Sequence, residues 1–200
     1  MAYRNFTLAD LKTKFGISQN EAALFQNIPL FEASAWLSQT LERNQKKIRM
    51  TTEKAVSEAI IMPILSAIQE RNEDKLTLFS GENLIADKSS GLNGEVDFLF
   101  IKQSHAYEIY APVINVTEAK LNKAIEKSIA QAAAQMVGAR VFNQKNNNPI
   151  ETIFGVVTNG DKWIFLKLEN NLLSIDSNRY STENIPELLG AFQLMIDFYN

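Results

Sequence analysis

GEVDFLFI over Gly94–Ile101 and VINVTEAK over Val113–Lys120 are the two segments that decide how this chain folds. Each is apolar enough to read as a strand, and each carries charge where an interior strand should not. Asp97 sits inside the first run, and the second ends in Glu118-Ala119-Lys120. Side chains alternate faces along a strand, so Glu118 and Lys120 project to the same side, one pleat apart. A strand as apolar as the second belongs in the middle of a sheet with both faces covered. Two carboxylates and an ammonium gathered at its end are expensive to bury unless they pair or hold a cation. A divalent metal meets that demand.

Downstream of Lys120 the spacing predicts a long Ala-rich helix over 121–143, with Lys127, Gln131 and Gln135 stacked at four-residue intervals. The polar tract over 143–149 reads as a loop. Strands over 152–158 and 162–168 flank Asn159-Gly160-Asp161, a hairpin signal. A further strand over 172–176 and an amphipathic helix over 185–199 follow. Upstream, short strands over 76–79 and 84–87 flank a turn at 80–83, and Gly91 and Gly94 bracket the start of the Asp97 strand. A helix capped by Thr51 or Thr52 runs to Arg71, with Ile61, Leu65 and Ile68 on one face. Glu58 falls on that same apolar stripe, out of place unless it meets a partner across the core, and Pro63 should kink or interrupt the helix. The first 48 residues read as three helices: 7–15, ended by Gly16, then about 19–26 and about 32–45. A packed cap explains them better than a DNA-reading helix-turn-helix. The expected fold is α/β, a mixed sheet flanked by helices, with 1–50 an N-terminal helical extension and 51–200 the main domain.

Composition narrows the chemistry. Two hundred residues with 46% hydrophobic content suit a domain with a sizeable core. No run of about 18 apolar residues occurs, so no membrane span is expected, and the first 30 residues lack the apolar run of a signal peptide. With no cysteine and only His105, thiolate and His-rich metal sites are excluded, and a cytoplasmic location is expected. Any metal must take oxygen ligands, which points to magnesium, manganese or calcium. The net charge of −3 counts mildly against a nucleic-acid partner. The bases are clustered, however: Arg43, Lys46, Lys47 and Arg49 form one group, and Lys120, Lys123, Lys127 and Arg140 another. Each is either a solvated helix face or a phosphate-facing surface. Trp163 and Phe165 alternate on a strand and read as packing, and so does Trp36 on its helix. The loop 90–94 lacks the lysine of a phosphate-binding P-loop.

The combination of a helical Glu58, a strand Asp97, the Glu118-Ala119-Lys120 strand and a following helical Gln131 resembles the PD-(D/E)XK nuclease superfamily. Here the acidic motif is Gly94-Glu95-Val96-Asp97, without the proline of the family name. The resemblance covers about residues 51–168. The segment from Phe154 to Trp163 is similar to one that follows the nuclease core in type I restriction R subunits, and segments 52–58 and 111–120 are similar to those of a group of small bacterial proteins. The resemblance implies a restriction-endonuclease-like fold and a magnesium- or manganese-dependent nuclease acting on DNA. It implies that Asp97, Glu118 and the Ala119 carbonyl ligate the cation, with Glu58 an additional ligand. Lys120 would orient or deprotonate the attacking water and steady charge on the phosphate. Gln131 would position the strand or the substrate, although the tyrosine that follows it four residues later in that family is Gln135 here. A homodimer would suit cleavage of both strands. The rival expectation is a non-catalytic nucleic-acid or protein-binding module on the same fold. The plainest alternative makes Glu118–Lys120 a surface ion pair.

Overall fold

The structure, a computed structural model, describes residues 2–121, 125–148 and 150–200, with the backbone alone for 125–127. At its centre is an open mixed sheet: β1 Ser18–Ala22, β2 Thr77–Asp87, β3 Leu92–Ile101, β4 Val113–Ala119, β5 Ile153–Thr158, β6 Lys162–Glu169, β7 Leu172–Asp176 and the short β8 Tyr180–Ser181. The spatial order is β1-β7-β6-β5-β4-β3-β2, and β8 pairs with β6. Every residue of β4 and of β5 is buried, as their near-continuous apolar sequence requires of central strands. They run parallel, joined by the crossover helix α5 Ile125–Lys145; hairpins make β2–β3, β3–β4, β5–β6 and β6–β7 antiparallel.

Helices cover both faces. One face packs Phe98, Phe100, Val156 and Phe165 against Leu37 and Leu41 of α2 (Ala35–Lys47), Ile61, Leu65 and Ile68, and Phe192 and Met195 of α6 (Ile185–Asp197). The other packs Leu99, Val116, Val157 and Leu166 against Met136 and Val137 of α5, Leu11 of α1 (Leu8–Phe15), and Tyr3. Tyr3 reaches under α5, where its hydroxyl donates to the Leu84 carbonyl at 3.0 Å. Gly138 makes room for it: a Cβ there would lie 2.2 Å from that hydroxyl oxygen. Among the described residues no helix is long and apolar enough to cross a membrane.

Several expectations are corrected. The predicted helix over 19–26 is instead the edge strand β1, parallel to β7 in the register Ser18↔Leu172 to Ala22↔Asp176. Its sequence, SQNEA, has no apolar face, and its residues are mostly exposed. The first fifty residues thus supply a strand to the sheet and side chains to both cores. The two short strands around a turn at 80–83 are one continuous strand, β2. Gly81, at φ +69°, lets it bend without ending, while the turn falls at 88–91. Trp36 is half exposed, whereas Trp163 and Phe165 are fully buried, as expected of packing residues.

The helix after Thr52 also departs from a regular α-helix. It opens with one α-helical turn, α3 (Glu53–Val56), widens to π-helical geometry over Ser57–Ile61, and regains α geometry as α4 (Met62–Arg71). Pro63 accounts for the widening. It lacks the N–H that would bond the Ala59 carbonyl, and Asn44 of α2 donates its side-chain amide to that carbonyl instead, at 2.8 Å. Met62 N–H reaches back five residues to the Ser57 carbonyl. One extra residue in a turn rotates everything before it by about 100°. Glu58 therefore leaves the apolar stripe of Ile61, Leu65 and Ile68 and faces outward.

Candidate active site

β3 and β4 stop pairing at the rung Phe98↔Thr117. Two residues further along β4, the Ala119 amide donates to Asp97 Oδ2 at 2.7 Å, so a side-chain carboxylate replaces the lost ladder bond. On its other flank β4 stays attached to β5, with Lys120 N–H donating to the Thr158 carbonyl at 2.8 Å. The split holds the end of β4 open beside Asp97 while keeping its backbone fixed. Glu118 points under α5 with no exposed surface. Its Oε2 accepts from the Gln135 side-chain amide at 2.8 Å. Its Oε1 lies 2.8 Å from Lys120 Nζ. That ammonium is the partner of Glu118 Oε1, whereas Gln135 Oε1 is a buried acceptor without a donor among the described residues. Lys120 reaches outward as well, to Glu53 Oε2 at 3.5 Å.

Asp97 and Ala119 line a cleft of about 510 Å³ together with Glu53, Glu58, Ser80, Gly81 and Glu95, among others, and Glu118 and Lys120 lie behind that lining. Gly81 leaves it roomy, since the nearest atom to a Cβ there would be Glu95 Oε1 at 3.8 Å.

Electrostatics follow from burial and crowding. Burial pushes the Glu118 carboxyl up to about 7, and repulsion from Asp97 adds to it, against the opposing pull of Lys120 and Gln135. Burial likewise raises Asp97, with Glu53 and Glu95 adding repulsion, while the Ala119 amide and Lys120 pull it back. Burial acts to lower Lys120, but Glu118, Asp97 and Glu53 outweigh it and hold the ammonium above its ordinary value. In this state Lys120 is a donor and a positive charge, not a base.

Of the residues singled out from sequence, Asp97, Glu118, Ala119 and Lys120 are brought together. Glu58 lines the cleft, but its side chain is 68% exposed and its ion pair, at 3.8 Å, is with Lys54. Glu53, one turn earlier, is the helical acid that touches Lys120. Gln131 is half-buried and makes no hydrogen bond to this group among the described residues; the amide on Glu118 comes from Gln135, one turn on. Glu53, Glu95 and Gln135 carried weak signals. An acid in the first turn of a helix is ordinarily explained by the helix dipole, and Gln135 stood out only by its spacing from Gln131. Of the second basic cluster, Lys123 and the Lys127 side chain lie outside the described residues, and Arg140 is buried, donating to the Asn170 carbonyl.

Among the described residues no three carboxylate or imidazole side chains gather closely enough to hold a metal ion on their own. A hard cation that keeps several waters needs only one or two carboxylates. Asp97 and Glu118, each pushed toward protonation by burial and by neighbouring carboxylates, make a donor set that such a cation would relieve. Neither protein-family models nor curated proteins match the chain.

Proposed function

We propose that the chain is a divalent-cation-dependent nuclease that hydrolyses DNA phosphodiester bonds on a restriction-endonuclease-like fold. The observation that carries this reading is the convergence of Asp97, Glu118 and Lys120 at a split strand end, with Asp97 and Ala119 lining a cleft. Asp97, Glu118 and the Ala119 carbonyl would hold magnesium or manganese, with Glu58 or Glu53 at the mouth. When bound, the cation supplies Lewis-acid polarisation of the phosphate. The protein's own groups do the rest. Gln135 fixes the orientation of Glu118 from behind. Glu53 draws Lys120 toward the cleft, where its ammonium donates to a non-bridging phosphate oxygen and steadies charge developing there. The Asp97 bond to the Ala119 amide keeps the strand ends apart, so that these positions exist before substrate arrives.

Linear, circular, branched and single-stranded DNA incubated with magnesium, manganese or EDTA tests the reading. Cleavage should need the metal and fall by at least about a hundredfold in Asp97→Ala and Lys120→Ala, the usual scale for losing one electrostatic stabiliser. Undiminished cleavage in both variants would sink the mechanism.

A second reading, a binding module without catalysis, is favoured by the lack of a three-acid cage among the described residues. Metal titration separates the two. A functional cation site raises the melting temperature by mass action, by about 2.7 kcal/mol of stability at a hundred times Kd, and a pure binding module shows no rise.

A further inference from the structure

Two contacts join α3, which walls the cleft, to the strand ends beside it. One is the ion pair from Glu53 Oε2 to Lys120 Nζ at 3.5 Å. The other is apolar. Val56, one helical turn after Glu53, lies against Gly160 in the turn between β5 and β6. A Cβ on Gly160 would stand 2.4 Å from Val56 Cγ1, with Ile60 in ordinary contact at 3.7 Å. Side chains do not approach one another that closely, so only glycine lets the helix come this near.

Both contacts rest on the same residue of β5. Lys120 N–H donates to the Thr158 carbonyl at 2.8 Å. Thr158 Oγ1 accepts from Gly160 N–H at 3.0 Å and donates to the Lys162 carbonyl at 2.9 Å. The turn is braced again by Asn159, whose Oδ1 accepts from the Asp161 and Lys162 amides at 3.1 and 2.8 Å. Thr182 N–H ties it from outside, donating to the Asp161 carbonyl at 3.0 Å. The helix is the softer partner. Glu53–Val56 is a single α-helical turn that runs into the π-helical segment Ser57–Ile61. A short turn ahead of an irregular ladder yields before a braced hairpin does.

We infer that Gly160 is a positioning residue that acts on Lys120 through Glu53. Its lack of a side chain sets how near α3 lies to the end of β4, and so whether the Glu53 carboxylate reaches the ammonium. Glu118, the other partner of Lys120 here, is fully buried behind the cleft lining, whereas Glu53 belongs to that lining. The hold of Glu53 therefore decides how far the ammonium extends toward a phosphate in the cleft. The inference rests on the nuclease reading for what Lys120 does, but its test reads Lys120 without turnover.

The test follows the Lys120 ammonium by heteronuclear NMR, the signal being assigned by its absence from Lys120→Arg, with melting temperatures checked for an intact fold. Glu53→Gln should shift the signal. Gly160→Ala should shift it in the same direction and add nothing further in a Glu53→Gln background. Val56→Ala placed beside Gly160→Ala removes the blocking methyl and should bring the signal back toward its wild-type position. Val56→Leu crowds the same contact without straining the turn, and it carries the test if Gly160→Ala, at φ +85°, does not fold. A signal left in place by Val56→Leu or by a folded Gly160→Ala, or moved equally with and without Glu53, would overturn the inference. In metal-dependent cleavage, Gly160→Ala should lower kcat on the order of tenfold with KM unchanged, as a misplaced reacting group does. Absence of cleavage by the wild-type protein, with these shifts intact, would remove hydrolysis alone.

Discussion

Glu118 makes this molecule sensitive to pH between 4.5 and about 7. Folding holds its proton up to about 7, against an ordinary value of 4.5. Between those values the folded chain binds more protons than the unfolded one, so the associated stability is fully present below about 4.5 and is lost as pH rises through 7. Asp97, also raised, acts in the same direction. Without divalent cations, the melting temperature should therefore fall between about pH 5 and about pH 7.5, and Glu118→Gln should flatten that fall. If the ionised pair holds magnesium as proposed, the ion should restore the loss at the upper end. A wild-type melting temperature that climbs across the window would show the carboxyl to be ordinary.

At the scale of elements, the π-helical turn is held by two residues that never touch the cleft. Pro63 withholds a donor from the Ala59 carbonyl, and Asn44 supplies one. Asn44→Ala should cost about 1–3 kcal/mol, the penalty of an unsatisfied buried carbonyl. In a Pro63→Ala background the backbone N–H returns, and the same change should cost less, leaving a coupling of about 1 kcal/mol in a urea-denaturation double-mutant cycle. Strict additivity would mean that Asn44 stabilises α2 by some other route. This turn also marks the limit of what was legible. Asp97 and the Glu118–Lys120 strand could be read because apolar runs with an embedded charge are rare and two-residue alternation is rigid. The facing of the helical acids is not legible, because 3.6-residue arithmetic fails across a π turn: Glu58 turns outward to line the cleft, and Glu53 is the acid that contacts Lys120. β1 was missed for a different reason. Nothing in SQNEA favours a strand, and its pairing is decided by β7 rather than by its own side chains.

For the molecule as a whole, the N-terminal segment is a working part of the sheet and of both cores, so small changes there should be felt globally. Gly138→Ala would drive a methyl into the Tyr3 hydroxyl. Overpacking of this kind costs about 1–3 kcal/mol, or roughly 2–12 °C in melting temperature for a chain of this size. The loss should shrink when Tyr3→Ala is introduced alongside it, measured by thermal unfolding of both proteins. An unchanged melting temperature for Gly138→Ala alone would show that Tyr3 can vacate its place freely.

The parallel docking of β1 on β7 has a consequence for biosynthesis. Ser18 bonds to Asn171, 153 residues away in the chain. At about 5–20 residues per second, a ribosome spends roughly 8–30 s between making the first strand of the sheet and making its partner. During that interval SQNEA waits beside an unfinished sheet, and its polar, apolar-poor sequence gives it little tendency to pair with the wrong neighbour. The feature that hid this strand from a reading of the sequence is the one that keeps it safe on the ribosome.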